Sequence, residues 1–217
     1  MITLYLVRHG ETDGNVKRWY QGATDIPLNA RGREQAEALG RYFQDFPFQA
    51  IYSSPLSRAK ETAEIVARPH GLTVRTYEAL REIDFGAWEG HTYEEIRELW
   101  PGEIEAFYRS DGMMKARGGE SFCDVAQRTV EQIHRLMEHH ADGDKVLIAS
   151  HGAAIRCMLF GLLGLELSRI WCFQQYNTAF NVVEYYGERS VATLINCTNH
   201  LVGTSGCQTN WTNTNRL

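Results

Sequence analysis

The chain lacks any stretch suited to crossing a membrane. Its longest apolar run, Cys157 to Leu165, is about half of the ~20 residues a spanning helix requires. It also lacks a basic excess. There are 22 Lys and Arg against 27 Asp and Glu, a formal charge of −5, so the cationic face of a nucleic-acid binder is not expected. A cysteine framework is missing as well. The five cysteines (123, 157, 172, 197 and 207) are odd in number, scattered and without C-x-x-C spacing. That pattern fits reduced thiols in a cytoplasm rather than disulfides or a zinc site. The start, MITLYLVRHG, lacks the charged opening, apolar core and small-residue cleavage site of a signal peptide. Two matches to the glycosylation pattern, Asn196-Cys197-Thr198 and Asn210-Trp211-Thr212, are therefore read as chance. No metal-ligand cluster and no cofactor motif is visible, and nothing in the sequence speaks to oligomeric state.

What is present is an ordinary globular composition, 43% apolar and 23% charged. A chain of 217 residues has room for one α/β domain with a modest insertion. ITLYLV (2–7) reads as a buried strand. Asn29 is placed to cap a helix over about 31–43, with Ala36, Leu39 and Phe43 facing inward. AIYSS (50–54) is a second strand, and Ser54-Pro55 predicts the start of a helix through Ala59, Ala63 and Val66. Residues 72–75 suggest a further strand. Two short helical stretches fall around 93–100 and 104–108, within a small insertion at about 90–118. A long amphipathic helix covers about 121–141. KVLIAS (145–150) is a strongly apolar strand, and a helix follows Gly152. Residues 178–186 and 190–196 read as a late hairpin across Gly187. The single domain is placed at 1–200, with a loose tail over 201–217.

Strands alternating with helices predict a three-layer α/β/α sandwich with a mainly parallel sheet. In such sheets ligands sit at the carboxyl ends of the strands. Arg8-His9 ends the first strand, Arg58 lies in the first turn after the second, and His151 follows the strand 145–150. Two strand–His–Gly junctions, LYLVRHG and VLIASHG, are hard to explain as core packing.

A neutral imidazole nitrogen can attack phosphorus and form a phosphohistidine. Guanidiniums hold phosphoryl oxygens in a bidentate way that ammonium groups cannot match, and Arg8 and Arg58 fit that need. His151 can donate a further hydrogen bond, and amides after Gly152 add positive potential. The leaving oxygen needs a proton. LREIDFGAWEG (80–90) supplies Glu82, with Asp84 and Glu89 as rivals, and an ion pair with Arg81 is the competing role for Glu82.

Taken together, VRHGETDGN, QGATDIPLNARGREQA, IYSSPLSRAKETA, REIDFGAWEG, GGES and ASHGAAIR resemble the histidine phosphatase superfamily. The branch is the one that holds the cofactor-dependent phosphoglycerate mutases and related phosphatases. The motifs stand in family order over roughly residues 3 to 160. The resemblance implies a phosphoglycerate mutase-like fold and His9 as the phosphorylated nucleophile. It implies Arg8, Arg58 and His151 as the phosphate pocket and selects Glu82 as proton donor. Asn15, Gln21 and Gly22 would contribute substrate or phosphate contacts, while Ser54, Pro55 and Thr62 would shape the pocket wall. Gly14 departs from the pattern, since relatives often carry an aromatic there.

A mutase must hold a bisphosphorylated intermediate, which takes extra cations. The resembling mutases carry a longer insertion with an adjacent Arg pair and a proline-rich segment. Here 90–118 offers Arg97, Arg109, Lys115 and Arg117, with no Arg-Arg pair and the single proline Pro101. The expectation is therefore metal-independent hydrolysis of small phosphate esters, with mutase activity as the alternative. A catalytically dead binding module would have lost a core group, yet all five are present. Trp19, Tyr20, Trp88, Trp100, Phe107, Tyr108, Met113 and Met114 would either cover the pocket or pack the insertion onto the domain.

Overall fold

The computed structural model describes residues 1–202. Six strands form one sheet: β1 (Ile2–Arg8), β2 (Ala50–Ser53), β3 (Arg75–Thr76), β4 (Lys145–Ser150), β5 (Phe180–Tyr185) and β6 (Ser190–Cys197). Their order is β3-β2-β4-β1-β5-β6. The first four strands in this order are mutually parallel, and β5 and β6 add an antiparallel hairpin at one edge. The helices are α1 (Asp13–Val16), α2 (Ala30–Phe43), α3 (Ser57–Ala67), α4 (Tyr93–Leu99), α5 (Glu103–Arg109), α6 (Phe122–Met137) and α7 (Gly152–Leu163).

The apolar run of β1 is explained by burial on both faces. Leu4 and Leu6 pack with α6 and α7 residues such as Ile133 and Ile155. Tyr5 and Val7 point the other way, into a cluster with Leu39 and Phe43 of α2 and Val66 of α3. The alternation gives the three expected layers.

Local signals hold at most boundaries. The Asn29 side chain accepts from the Gly32 amide at 2.8 Å and caps α2. Ser121 caps α6 through a reciprocal box with Asp124, and one face of this amphipathic helix, Phe122, Val125, Thr129, Ile133 and Leu136, is buried. His140 lies beyond the helix end, where it bonds Tyr52 and Asp144.

Two expectations need correction. Ser54 is not the cap of α3. That helix starts at Ser57 behind Leu56, and its first amide is received by Asp25 Oδ1 at 2.8 Å from a distant loop. Ser54 is instead drawn to His151. The strand expected over 72–75 is the two-residue β3 at Arg75–Thr76, because pairing with Tyr52 and Ser53 fixes where it begins. Of the predicted tail, Leu201 ends a short turn, Asn199–Leu201, and residues 203–217 lie outside the described residues.

Candidate active site

Parallel register brings the functional strand ends together. Arg8 pairs with Ser150 and Ser53 with Ala149, so His9, His151 and Ser54 leave three adjacent strands at one edge. The His9 and His151 rings lie with centroids 5.2 Å apart.

His9 is buried, and its Nδ1 stands 2.6 Å from the Gly10 carbonyl. A carbonyl only accepts, so Nδ1 carries the proton and Nε2 keeps its lone pair. Burial, then the charges of Arg58 and Arg8, hold the imidazole well below the usual histidine range. Gly10 serves a close approach. A Cβ there would stand 2.4 Å from the Gly32 carbonyl at the start of α2. The Gly10 amide donates to Thr62, whose hydroxyl in turn donates to the Arg58 carbonyl, so α3 is tied to the end of β1.

Arg58 is fully buried. Its Nε donates to His151 Nδ1 at 3.2 Å, and its two terminal nitrogens donate to the Thr24 and Gly22 carbonyls at 2.8 Å each. A guanidinium only donates, so His151 Nδ1 is the unprotonated nitrogen and Nε2–H donates to Ser54 Oγ at 2.8 Å. Both ring nitrogens of His151 are thus engaged. The expected hydrogen bond from His151 to a phosphoryl group requires one of these partners to be exchanged.

Arg8 donates to the Gln175 carbonyl at 2.6 Å, while its buried Nε has no partner among the described residues. A cation the sequence reading missed stands beside it. A methyl on Gly152 would lie 3.4 Å from Arg8 Nε and 3.5 Å from Arg156 Nη1. Arg156 also donates to the Phe173 carbonyl and stacks over Trp171. Burial and the Arg156 charge push Arg8 down to about 10, still charged at neutral pH. The Glu82 carboxylate offsets part of the charge of both guanidiniums, and a bound anion would offset more. The signal lay within ASHGAAIR, four residues after Gly152, where one helical turn returns the side chain to the same face.

Glu82 is the carboxylate at this edge. It accepts from the Ala154 amide at 2.9 Å and the Ala153 amide at 3.2 Å, in the first turn of α7. Arg81 pairs with Glu78 instead, which removes the competing role. The rivals are structural: Asp84 accepts from the Gly86 amide, and Glu89 accepts from the amides of Ala23, Thr24 and Phe85.

Asn15 forms a capping box with Thr12, and its Oδ1 accepts from Thr12 and from Asn177 at 3.1 Å. This turns its amide nitrogen away from those partners. The Gln21 side chain accepts from Thr12 at 2.8 Å. It fills the space beside Gly14, where any Cβ would meet it at 2.7 Å, which accounts for the departure at that position. Gly22 acts through backbone shape: φ is +52° and a Cβ would collide with the Glu89 carboxylate, so its carbonyl can face Arg58.

The family model for the histidine phosphatase superfamily (branch 1) matches residues 4–198. The chain belongs to the histidine phosphatase superfamily. Phosphoserine phosphatase 1 of Hydrogenobacter thermophilus is 33% identical, over 93% of this chain and 95% of its own length. Bacillus stearothermophilus YhfR superposes with a TM-score of 0.87 at 36% identity, over 93% of this chain and 100% of that one. An Entamoeba histolytica phosphoserine phosphatase mutant solved with phosphoserine superposes with a TM-score of 0.83 at 34% identity, over 93% and 100% of the two chains. This histidine phosphatase is an enzyme of the phosphomonoesterase type, on a phosphoglycerate mutase-like fold.

The aromatic residues of the insertion mostly pack it down. Trp88 and Phe107 are buried, and Phe107 also meets Phe122 of α6. The Tyr20 and Tyr108 hydroxyls bond each other, while Met113 is exposed.

Asn177 and Thr178, also unforeseen, brace His9. The Asn177 side chain and the Thr178 amide both donate to the His9 carbonyl at 3.1 Å. The Thr178 hydroxyl donates to the Asn177 carbonyl and accepts from His200 Nε2, leaving a buried His200 Nδ1 without a partner among the described residues. Burial pushes His200 down to about 4, against about 6.5 when unfolded. The neutral form is favoured by folding, so its stabilisation is present above pH 6.5 and declines from there towards about 4. At pH 5 the loss is of order 2 kcal/mol for His200, and His9 and His151 act in the same direction. Urea unfolding at pH 7.5 and 5.0 should show this fall. His200→Gln should lessen it, and an unchanged pH slope would count against the assignment.

Proposed function

We propose that the protein hydrolyses small phosphate monoesters through a phosphohistidine on His9. One observation carries this reading: Nδ1 is committed to the Gly10 carbonyl, which leaves Nε2 free beside Arg8 and Arg58. Nε2 attacks phosphorus, the P–O bond to the leaving group breaks, and the leaving oxygen takes its proton from Glu82. Glu82 then accepts a proton from the water that attacks the phosphohistidine, regenerating free His9. Arg8 and Arg58, with the Gly152 amide at the start of α7, neutralise the phosphoryl charge, the next two amides being taken by Glu82. Asn15 would offer its amide nitrogen at the rim. Gln21 and Gly22 act by holding the loop against Arg58.

Arg156 supports substrates with a second acidic group, as in the phosphoserine and phosphoglycerate ligands of the Entamoeba relatives. Hydrolysis is favoured over mutase activity because three of the insertion's four cations are committed, Arg109 being the exception. Arg97 pairs with Glu105 at 2.6 Å, Lys115 with Asp124 at 3.0 Å, and Arg117 with Glu103. These cannot hold a second phosphate without breaking ion pairs. The four described cysteines are unpaired, which supports a reducing, cytoplasmic compartment.

The test compares phosphate release from O-phosphoserine, 3-phosphoglycerate and glycerol phosphate with 3-phosphoglycerate isomerisation in the presence of 2,3-bisphosphoglycerate. Release is expected to dominate, fastest for the acidic esters and unaffected by EDTA. Isomerisation outpacing release would make the protein a mutase. An EDTA loss restored by a divalent cation would contradict the guanidinium pocket.

A further inference from the structure

We propose that Arg128, on α6 and outside the anion pocket, is the positioning residue that holds Glu82 in place to give up its proton. The inference rests on Glu82 as proton donor.

All five donors of the Arg128 guanidinium are committed. Nη1 donates to the Ala79 carbonyl at 2.8 Å and the Arg81 carbonyl at 2.9 Å. Nη2 donates to the carbonyl of Glu82 itself at 2.9 Å and to Glu120 Oε2 at 2.8 Å. Nε donates to Glu120 Oε1 at 2.8 Å. Glu120 closes the frame, since Oε2 accepts from the Asp84 amide at 3.0 Å and its own amide donates to the Asp84 carbonyl. The segment 79–84 has no strand or long helix to fix it. Apart from Ser150, which donates to the Leu80 carbonyl, this fork supplies its side-chain anchors.

Three carbonyls pointing at one planar cation define the path of the chain through Glu82. Lysine has three donors from a single nitrogen and cannot span the same acceptors together with a bidentate carboxylate. The clamp grips the backbone of Glu82 from one side, while the α7 amides receive its carboxylate on the other. Proton transfer requires the donor within ~2.6–3.2 Å of the leaving oxygen. A displacement of ~1 Å in such a group costs on the order of 100-fold.

The role has a signature that general destabilisation would not produce. kcat/KM reports transfer to His9, in which an alkoxide must be protonated as it leaves but p-nitrophenolate need not be. Arg128→Lys is therefore expected to lower kcat/KM for O-phosphoserine by about 30- to 100-fold and for p-nitrophenyl phosphate by less than about 3-fold. Glu120→Gln should show the same selectivity at smaller size, and orthovanadate inhibition should be nearly unchanged in both. Adding Arg128→Lys to Glu82→Gln should cost little more than Glu82→Gln alone. Equal losses on both substrates, or variants that do not fold, would assign Arg128 to structure only and overturn the proposal. If Glu82→Gln itself hits both substrates equally, the proton-donor reading of Glu82 fails first, and this inference with it.

Discussion

His9→Ala is expected to abolish turnover, by at least about 10⁴-fold, and to leave no acid-labile phosphate on the protein. The imidazole is the one group beside the guanidiniums with an unprotonated ring nitrogen free of hydrogen bonds, because Gly10 holds the other nitrogen's proton. His151 cannot substitute, with one nitrogen facing Arg58 and the other Ser54. Mixing enzyme with ³²P-labelled substrate, quenching in alkali and splitting the sample between acid and alkaline treatment reads the intermediate directly. The variant should fold normally and retain orthovanadate binding, since Arg8, Arg58 and the Gly152 amide remain. Residual turnover at wild-type levels would remove the covalent mechanism.

Arg58→Lys should have the next largest effect, on activity and stability together. The side chain is fully buried and serves three acceptors: the His151 imidazole and the carbonyls of Gly22 and Thr24. Lysine keeps the charge but cannot reach all three with a planar fork. Each buried acceptor left without a donor costs about 1–3 kcal/mol. We expect a loss on the order of 10³-fold in kcat/KM, weaker orthovanadate inhibition and a urea midpoint lowered by several kcal/mol equivalent. A variant with normal stability and only weakened activity would show that the 22–24 loop is held by other contacts.

These two experiments probe different things because the residues were legible to different degrees. His9 could be placed from the sequence, since an apolar strand ending in Arg-His-Gly is a local pattern whose chemistry follows from strand direction. The same holds for His151, and for β1, β4 and α6, whose periodicity and caps agree with their burial. Arg58 was placed by its position after β2. Its actual load, carrying the 22–24 loop and orienting His151, depends on contacts more than 30 residues away and has no local signal. Arg128 and Asn177 went unread for the same reason, whereas Arg156 had a local signal in its spacing from Gly152. Arg128 and Asn177 each look like an ordinary polar residue until folding brings them against their distant partners.

The sequence alone determined the layered α/β scaffold and the sheet edge at which the two histidines stand, the edge proposed here to carry function, because side-chain period and strand–helix alternation are local properties. Only the tertiary structure decided which nitrogen of each imidazole carries the proton, which of three carboxylates meets the α7 amides and which guanidiniums lie without an ion pair. Those outcomes depend on hydrogen-bond partners distant in the chain, and register between β1, β2 and β4 is what sets them within reach.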